Sequence, residues 1–217
     1  MGGSWARAGR TGYTFLVEDP ATSLRADQVI QTRAALVTAG RSLFGRRGYS
    51  ATSVEDVARQ ARVTTGALYH HFATKTALFE AVFEALHEES LAASAEAAGH
   101  GRDDLDRLAR GSDAFLDSVL DPEVQRILII DAPAVLGLAR FTELDERYAF
   151  TAIVALLEGA RAAGIMETDD PETLARLLIG ALTRGAMLIA NSPSPKQTRD
   201  AVSVALRRIL AGLSLSG

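Results

Sequence analysis

The sequence contains no cysteine, which excludes disulfides, thiolate metal sites and cysteine nucleophiles together. No uninterrupted apolar run approaches the 18 or more residues of a membrane span. The N-terminus lacks the apolar core and small-residue cleavage site of a signal peptide. A cytoplasmic protein without membrane contact is therefore the expectation. No HExxH is present, and no glycine-rich phosphate loop follows a strand. No catalytic set, no metal site and no cofactor are expected, and the chain does not read as an enzyme. Lysine is almost missing: Lys75 and Lys196 are far outnumbered by arginine.

What is present is unevenly charged. Residues 1–75 carry ten Lys/Arg against five acids, a net +5, whereas the whole chain is −4, so that residues 76–217 carry −9. A basic end on an acidic body fits a DNA-docking module joined to a domain of other purpose, because phosphate contact supplies most nonspecific affinity for DNA. At 217 residues with 47% hydrophobic content, the chain can bury a sizeable core.

The stretch 52–75, TSVEDVARQARVTTGALYHHFATK, reads as two short helices around a tight turn. Thr52 and Glu55 have the spacing of a capping box, after which Val54, Val57, Ala58 and Ala61 share a face. The pattern breaks at Arg62-Val63, and Thr64 or Thr65 offers a cap for a second helix through Phe72. Before it, Asp27 to Arg47 forms a helix that carries Leu36, Val37, Leu43 and Phe44, with Gly40 at a close helix contact and Gly48 as stop.

The order Leu43-Phe44, Gly48-Tyr49, Thr52, Val57-Ala58, Val63-Thr64, Gly66, Leu68-Tyr69, His71-Phe72, Lys75 and Leu78-Phe79 resembles the DNA-binding region of TetR-family transcriptional regulators. The resemblance covers residues 28 to 88; beyond 88 it is one of architecture. It implies an all-α fold, in which a three-helix helix-turn-helix head is joined by a long linker helix to a helical ligand-binding and dimerisation body. Residues 27–88 would form the head and 89–217 the body. Residues 1–26 read as a flexible basic arm; Arg7, Arg10 and Arg25 either follow the minor groove, or the segment packs on the body or stays loose.

In this docking geometry the second helix enters the major groove, where base edges distinguish all four base pairs. Thr64, Thr65, Gly66 and Ala67 form its first turn and are the candidate base readers. Tyr69, His70 and Lys75 are candidate phosphate contacts, with Thr52 and Arg33 completing the set. The resemblance implies the same roles for Thr64, Thr65, Gly66, Tyr69, His70 and Lys75. Leu68, His71 and Phe72 should anchor the helix. One residue departs from the family pattern: Arg62 stands where glycine is common, and a left-handed conformation there costs about 1 kcal/mol or more.

The body reads as helices throughout. Thr74 to Ala98 spans roughly 35 Å. A helix opens at Asp103 or Asp104 and ends before Asp121-Pro122. VQRILIIDAPAVLG, interrupted by Pro133, reads as a helix, a kink and a second turn. Further helices cover 141–163, 171–190 and 195–212. The apolar 174–190 segment and the Val202, Leu206, Ile209, Leu210 stripe suggest a four-helix homodimer interface. Phe115, Arg126, Asp131, Phe141, Tyr148, Arg184 and Met187 are candidate pocket residues, and arginines there, Arg140 and Arg147 included, lean towards an anionic or polar-headed effector.

The resulting expectation is a dimeric, ligand-responsive repressor that a small molecule releases from a palindromic double-stranded operator. The alternatives are an all-helical enzyme built on His70, His71, His87 and His100, and an architectural DNA-binding protein without a ligand.

Overall fold

The computed structural model describes the backbone of residues 20–214 and the side chains of 27–214. Ten α-helices occur among them, with no strand beyond one isolated bridge between Met166 and Ser214. They are α1 (Pro20–Arg47), α2 (Val54–Gln60), α3 (Thr65–His71), α4 (Lys75–Gly99), α5 (Asp104–Ser118), α6 (Pro122–Val124), α7 (Ala132–Leu136), α8 (Leu138–Ala162), α9 (Pro171–Ala190) and α10 (Pro195–Leu213). A π-helical stretch, Gln125–Asp131, joins α6 to α7. Pro133 has no N–H to give the carbonyl four residues earlier, which favours the altered register just before it. Of the helix, kink and second turn read from this segment, the helix is the π stretch and the turn is α7, with helical backbone at Asp131 and Ala132 between them.

Helix α1 starts at Pro20 rather than Asp27, so the expected boundary at residue 26 falls inside a helix. The remainder of the proposed arm, including Arg7 and Arg10, and the Arg25 side chain lie outside the described residues.

Helix starts follow side-chain caps. Thr64, Thr74, Asp103, Asp121 and Asp170 each accept a backbone N–H of the following turn, which satisfies donors that have no partner within the helix. Gly48 ends α1 at φ 81°, a conformation open to glycine. Gly40 meets α4 closely: a Cβ there would stand 3.1 Å from Val82 Cγ2.

The head and the body share one core. Leu36, Phe44, Val57, Leu68 and Phe79 continue through Phe83 into Leu116, Ile127 and Leu144, all fully or nearly fully buried. Helix α4 passes through both parts, so the head has no separate hydrophobic interior. Phe44, Tyr49 and Phe79 form an aromatic cluster with centroids 5.3–5.8 Å apart, in which Phe79 meets the other two rings edge-on. A second cluster around Leu105, Leu157, Leu178 and Leu210 holds the far end of α5, α8, α9 and α10.

Helix α9 is long and apolar enough, by length and composition, to cross a membrane. Arg176 and Arg184 interrupt it, however, and it packs on α8 and α10. It reads as a core helix with an apolar face left over.

Candidate nucleic-acid interface and body cavity

In the head, the first cap differs from the sequence reading. Ser53 caps α2, its Oγ accepting the Asp56 N–H at 3.1 Å. Thr52 is buried and donates its hydroxyl to the Gly48 carbonyl at 2.9 Å. Thr52 therefore closes the α1–α2 loop and does not face DNA, which corrects its assignment as a contact. Its hydroxyl is satisfied inside the protein, as burial requires.

The turn behaves as the sequence implied. Arg62 has φ 59°, the one positive φ outside glycine among the described residues. The Val63 N–H donates to the Ala58 carbonyl at 2.9 Å to close the turn. Thr64 caps α3 by accepting the Ala67 N–H at 3.1 Å. Leu68 and Phe72 are buried beneath α3, while Thr64, Gly66, Tyr69 and His70 are exposed and Thr65, Ala67 and His71 are half-buried. A Cβ on Gly66 would meet nothing nearer than Thr64 Oγ1 at 3.9 Å. No packing within the chain requires glycine there, and the small surface it leaves faces outward.

Lys75 is tied within the head. Its ammonium donates to the carbonyls of Tyr49 (2.9 Å) and Thr52 (3.0 Å) and lies 4.0 Å over the Tyr49 ring. Two of its three protons are thus committed inside the head, and the residue serves as a tie more than as a free point charge. Arg33 is exposed, with its guanidinium 5.1 Å from the Phe72 ring at the end of α3. Arg47 and Arg59 both pair with Asp56, whereas Arg46 and Arg62 are exposed beside the same motif.

The head is fastened to the body at one further place. Asp131, at the end of the π stretch, accepts the Tyr49 backbone N–H at 2.8 Å. A side chain on Gly48 would come within 3.5 Å of both Arg126 Nη1 and Asp131 Oδ2. Arg126 and Asp131, read from the sequence as pocket residues, therefore belong to this joint.

The cavity lies deeper, between α4, α5, α8 and α9, with a volume of about 130 Å³. Of the seven expected lining residues, Phe115 and Tyr148 line it. Phe141 packs in the core with its ring centroid 6.1 Å from that of Phe83. Met187 packs on the same core, and Arg184 is exposed outside the cavity. Arg140 pairs with Glu80 and Glu143, and Arg147 with Glu84 at 3.1 Å, tying α8 to α4 outside the cavity.

Sequence reading missed His87, Asp145 and Thr183, which form the polar part of the wall. Thr183 donates its hydroxyl to Asp145 Oδ2 at 2.6 Å. His87 Nε2 stands 3.9 Å from Asp145 Oδ1, too far for a hydrogen bond. The His87 ring stacks on Tyr148 at 5.3 Å. Burial lowers the His87 pKa to about 4, holding the ring neutral. Burial also raises the Asp145 pKa, opposed by the Thr183 hydrogen bond. The available signal was a row of polar or small residues at helical spacing: His87, Ser90, Ser94 and Ala98 on α4 face Gly111 and Ser112 on α5. Small side chains from two packed helices leave space between them.

The four histidines do not converge. His70 and His71 lie on α3, His87 lines the cavity, and His100 caps the far end of α4, about 20 Å from His87 along the helix. The described residues contain no cluster of three or more potential metal ligands.

Comparison with known proteins agrees with both parts. Residues 36–82 match the model described as "Bacterial regulatory proteins, tetR family". Residues 105–213 match "Tetracyclin repressor-like, C-terminal domain". The chain is 33% identical to the solved structure of a TetR-family transcriptional regulator from Pectobacterium atrosepticum, covering 88% of this chain and 97% of that one with a TM-score of 0.78. It is 29% identical over 167 residues to the HTH-type transcriptional regulator TtgR of Pseudomonas putida, covering 74% of this chain and 70% of the relative. RolR in complex with its ligand resorcinol shares the fold at 19% identity and a TM-score of 0.69, covering 85% of this chain and 90% of that one.

Proposed function

The chain belongs to the TetR family of bacterial regulatory proteins, and from that premise we propose that it is a ligand-responsive transcriptional repressor acting as a homodimer on an inverted-repeat operator. The observation that carries this reading is the exposed face of α3. A short helix anchored by Leu68 and Phe72 turns Thr64, Gly66, Tyr69 and His70 to solvent, with Arg33, Arg46 and Arg62 exposed on the same head. Small side chains admit the backbone to the major groove, and the polar ones reach bases and phosphates.

The partner subunit is a second copy of this chain docked on α9 and α10. Leu177, Leu188, Val204 and Ile209 are 45–66% exposed along these helices. Gly180 and Gly212 leave open space where a neighbouring backbone can approach. Leu206 and Leu210 turn inward and Val202 packs against the core, so the interface stripe is shifted from the one read in the sequence. Two copies would set their α3 helices one DNA turn apart, about 34 to 36 Å.

The effector site is the body cavity. Ligand contacts with α4 bear on the helix whose first residue, Lys75, holds the Tyr49 and Thr52 carbonyls. A ligand that binds better to a wider head spacing lowers operator affinity by that difference in affinity.

Selection from a pool of random duplexes tests the proposal. The expected result is an enriched inverted repeat for which the logarithm of the binding constant falls linearly with the logarithm of salt concentration. A pool without enrichment, bound with no salt dependence, contradicts it.

A further inference from the structure

The charge balance of the cavity indicates which ligand it takes. Its wall is apolar over Leu91, Leu108, Phe115, Ile153 and Leu182, and His87, Asp145, Tyr148 and Thr183 meet one another in it. There Asp145 is 16% exposed and accepts a single hydrogen bond among the described residues, from Thr183. His87 is held neutral, so it supplies no counter-charge. Arg107, the one cationic side chain in the wall, is half in solvent and paired with Asp104 at 3.0 Å. Arg147 is turned to Glu84. Burial first, and then Glu84 and Glu88, raise the pKa of the Tyr148 hydroxyl against the opposing pull of Arg147.

A buried carboxylate with one hydroxyl partner has lost hydration without regaining a counter-ion, a costly arrangement that an incoming cation relieves. Phe115 and Tyr148 line the same wall, and an aromatic face attracts an ammonium group. An anion would meet Asp145 with like charge in an apolar surrounding.

We propose that the cavity takes a lipophilic cation, a protonated amine on an aryl-alkyl body, whose N–H groups donate to Asp145 while the body fills the apolar wall. This rests on the reading of the cavity as the effector site, and it reverses the sign of ligand inferred from nearby arginines in the sequence. Those arginines, Arg126, Arg140, Arg147 and Arg184, all lie outside the cavity wall.

The test is isothermal titration of the full-length protein with three probes of one shape: 4-phenylbutylamine, 4-phenylbutan-1-ol and 4-phenylbutyrate. The amine is expected to bind at least tenfold tighter than the alcohol, and the carboxylate weakest. Asp145→Asn should bring the amine down to the alcohol. Thr183→Val, which keeps the charge, should preserve the preference, so a loss confined to Asp145→Asn is not a folding effect. Ala152→Trp, placed at the exposed rim, should block every probe. If the alcohol or carboxylate binds as tightly as the amine and Ala152→Trp abolishes that binding, the cavity reading stands and the cation inference is overturned. If no probe binds, or Ala152→Trp changes nothing, the effector-site reading falls and the inference falls with it.

Discussion

The Asp131 carboxylate accepts the backbone N–H of Tyr49 at 2.8 Å across 82 residues of sequence, joining the π-helical stretch of the body to the loop that positions α2. Tyr49 in turn supplies its carbonyl to Lys75 and its hydroxyl to Thr76 at 2.9 Å. One residue thus connects the body, the head and the start of α4. Asp131→Ala leaves a half-buried N–H without its acceptor and should cost about 1–3 kcal/mol of stability. It should also weaken operator binding, because the head then samples more orientations. Urea unfolding and operator titration of the same variant measure the two effects, and Asp131→Asn, which retains an acceptor oxygen, should recover most of both.

Arg62 occupies φ 59° in the turn before α3. A side chain in the left-handed region costs roughly 1–2 kcal/mol, and glycine relieves that while adding freedom to the unfolded chain. Arg62→Gly should therefore raise stability by about 0.5–1 kcal/mol in thermal unfolding. Because Arg62 is exposed on the head, operator affinity at low salt should fall even as the protein gains stability.

Gly66 offers a sharper separation of the two properties. Alanine at this position meets no atom of the chain nearer than 3.9 Å, and alanine is favoured over glycine inside a helix by about 1 kcal/mol. Gly66→Ala should stabilise the head. If α3 enters the groove closely, the same methyl lowers operator affinity roughly tenfold, or ~1.4 kcal/mol. Unchanged affinity would place Gly66 away from the DNA.

His87 sets a pH dependence. Its folded pKa of about 4 lies below the unfolded value near 6.5, so the unfolded chain binds the proton more readily in this range. Stability contributed by the neutral ring is present above pH 6.5 and is lost as pH falls towards 4. Between pH 7 and 5 the loss is about 2 kcal/mol. Asp145, with its pKa raised, works in the opposite sense, so the relevant comparison is with His87→Gln, which keeps Asp145. Unfolding at fixed protein concentration should show a shallower pH slope for the variant.

The head was largely legible in the sequence because its signals are local. Caps such as Thr64 and Thr74, the inward pair Leu68 and Phe72, and the strained Arg62 all depend on residues a few positions apart. Thr52 was misread because two hydroxyls stand side by side before α2 and the spacing of Glu55 points to Thr52, whereas Ser53 takes the cap by accepting the Asp56 N–H. The ties of Lys75 were not legible because the direction of a long flexible side chain depends on carbonyls more than 20 residues earlier. The cavity was illegible for a stronger reason. It exists where small residues on α4 and α5 meet Asp145 on α8 and Thr183 on α9, a coincidence of four helices that no single periodicity contains.

DNA reading by the outward face of α3 is tested most directly by one titration. Thr65 is the first residue of α3. Aspartate there suits the positive end of a helix and should leave folding and dimerisation intact, while it sets a negative charge against the phosphates and base acceptors of the groove. Fluorescence anisotropy with the selected operator should show wild-type binding that weakens with salt, and a loss of a hundredfold or more in Thr65→Asp, about 2.7 kcal/mol. Equal binding by the folded variant would contradict the account.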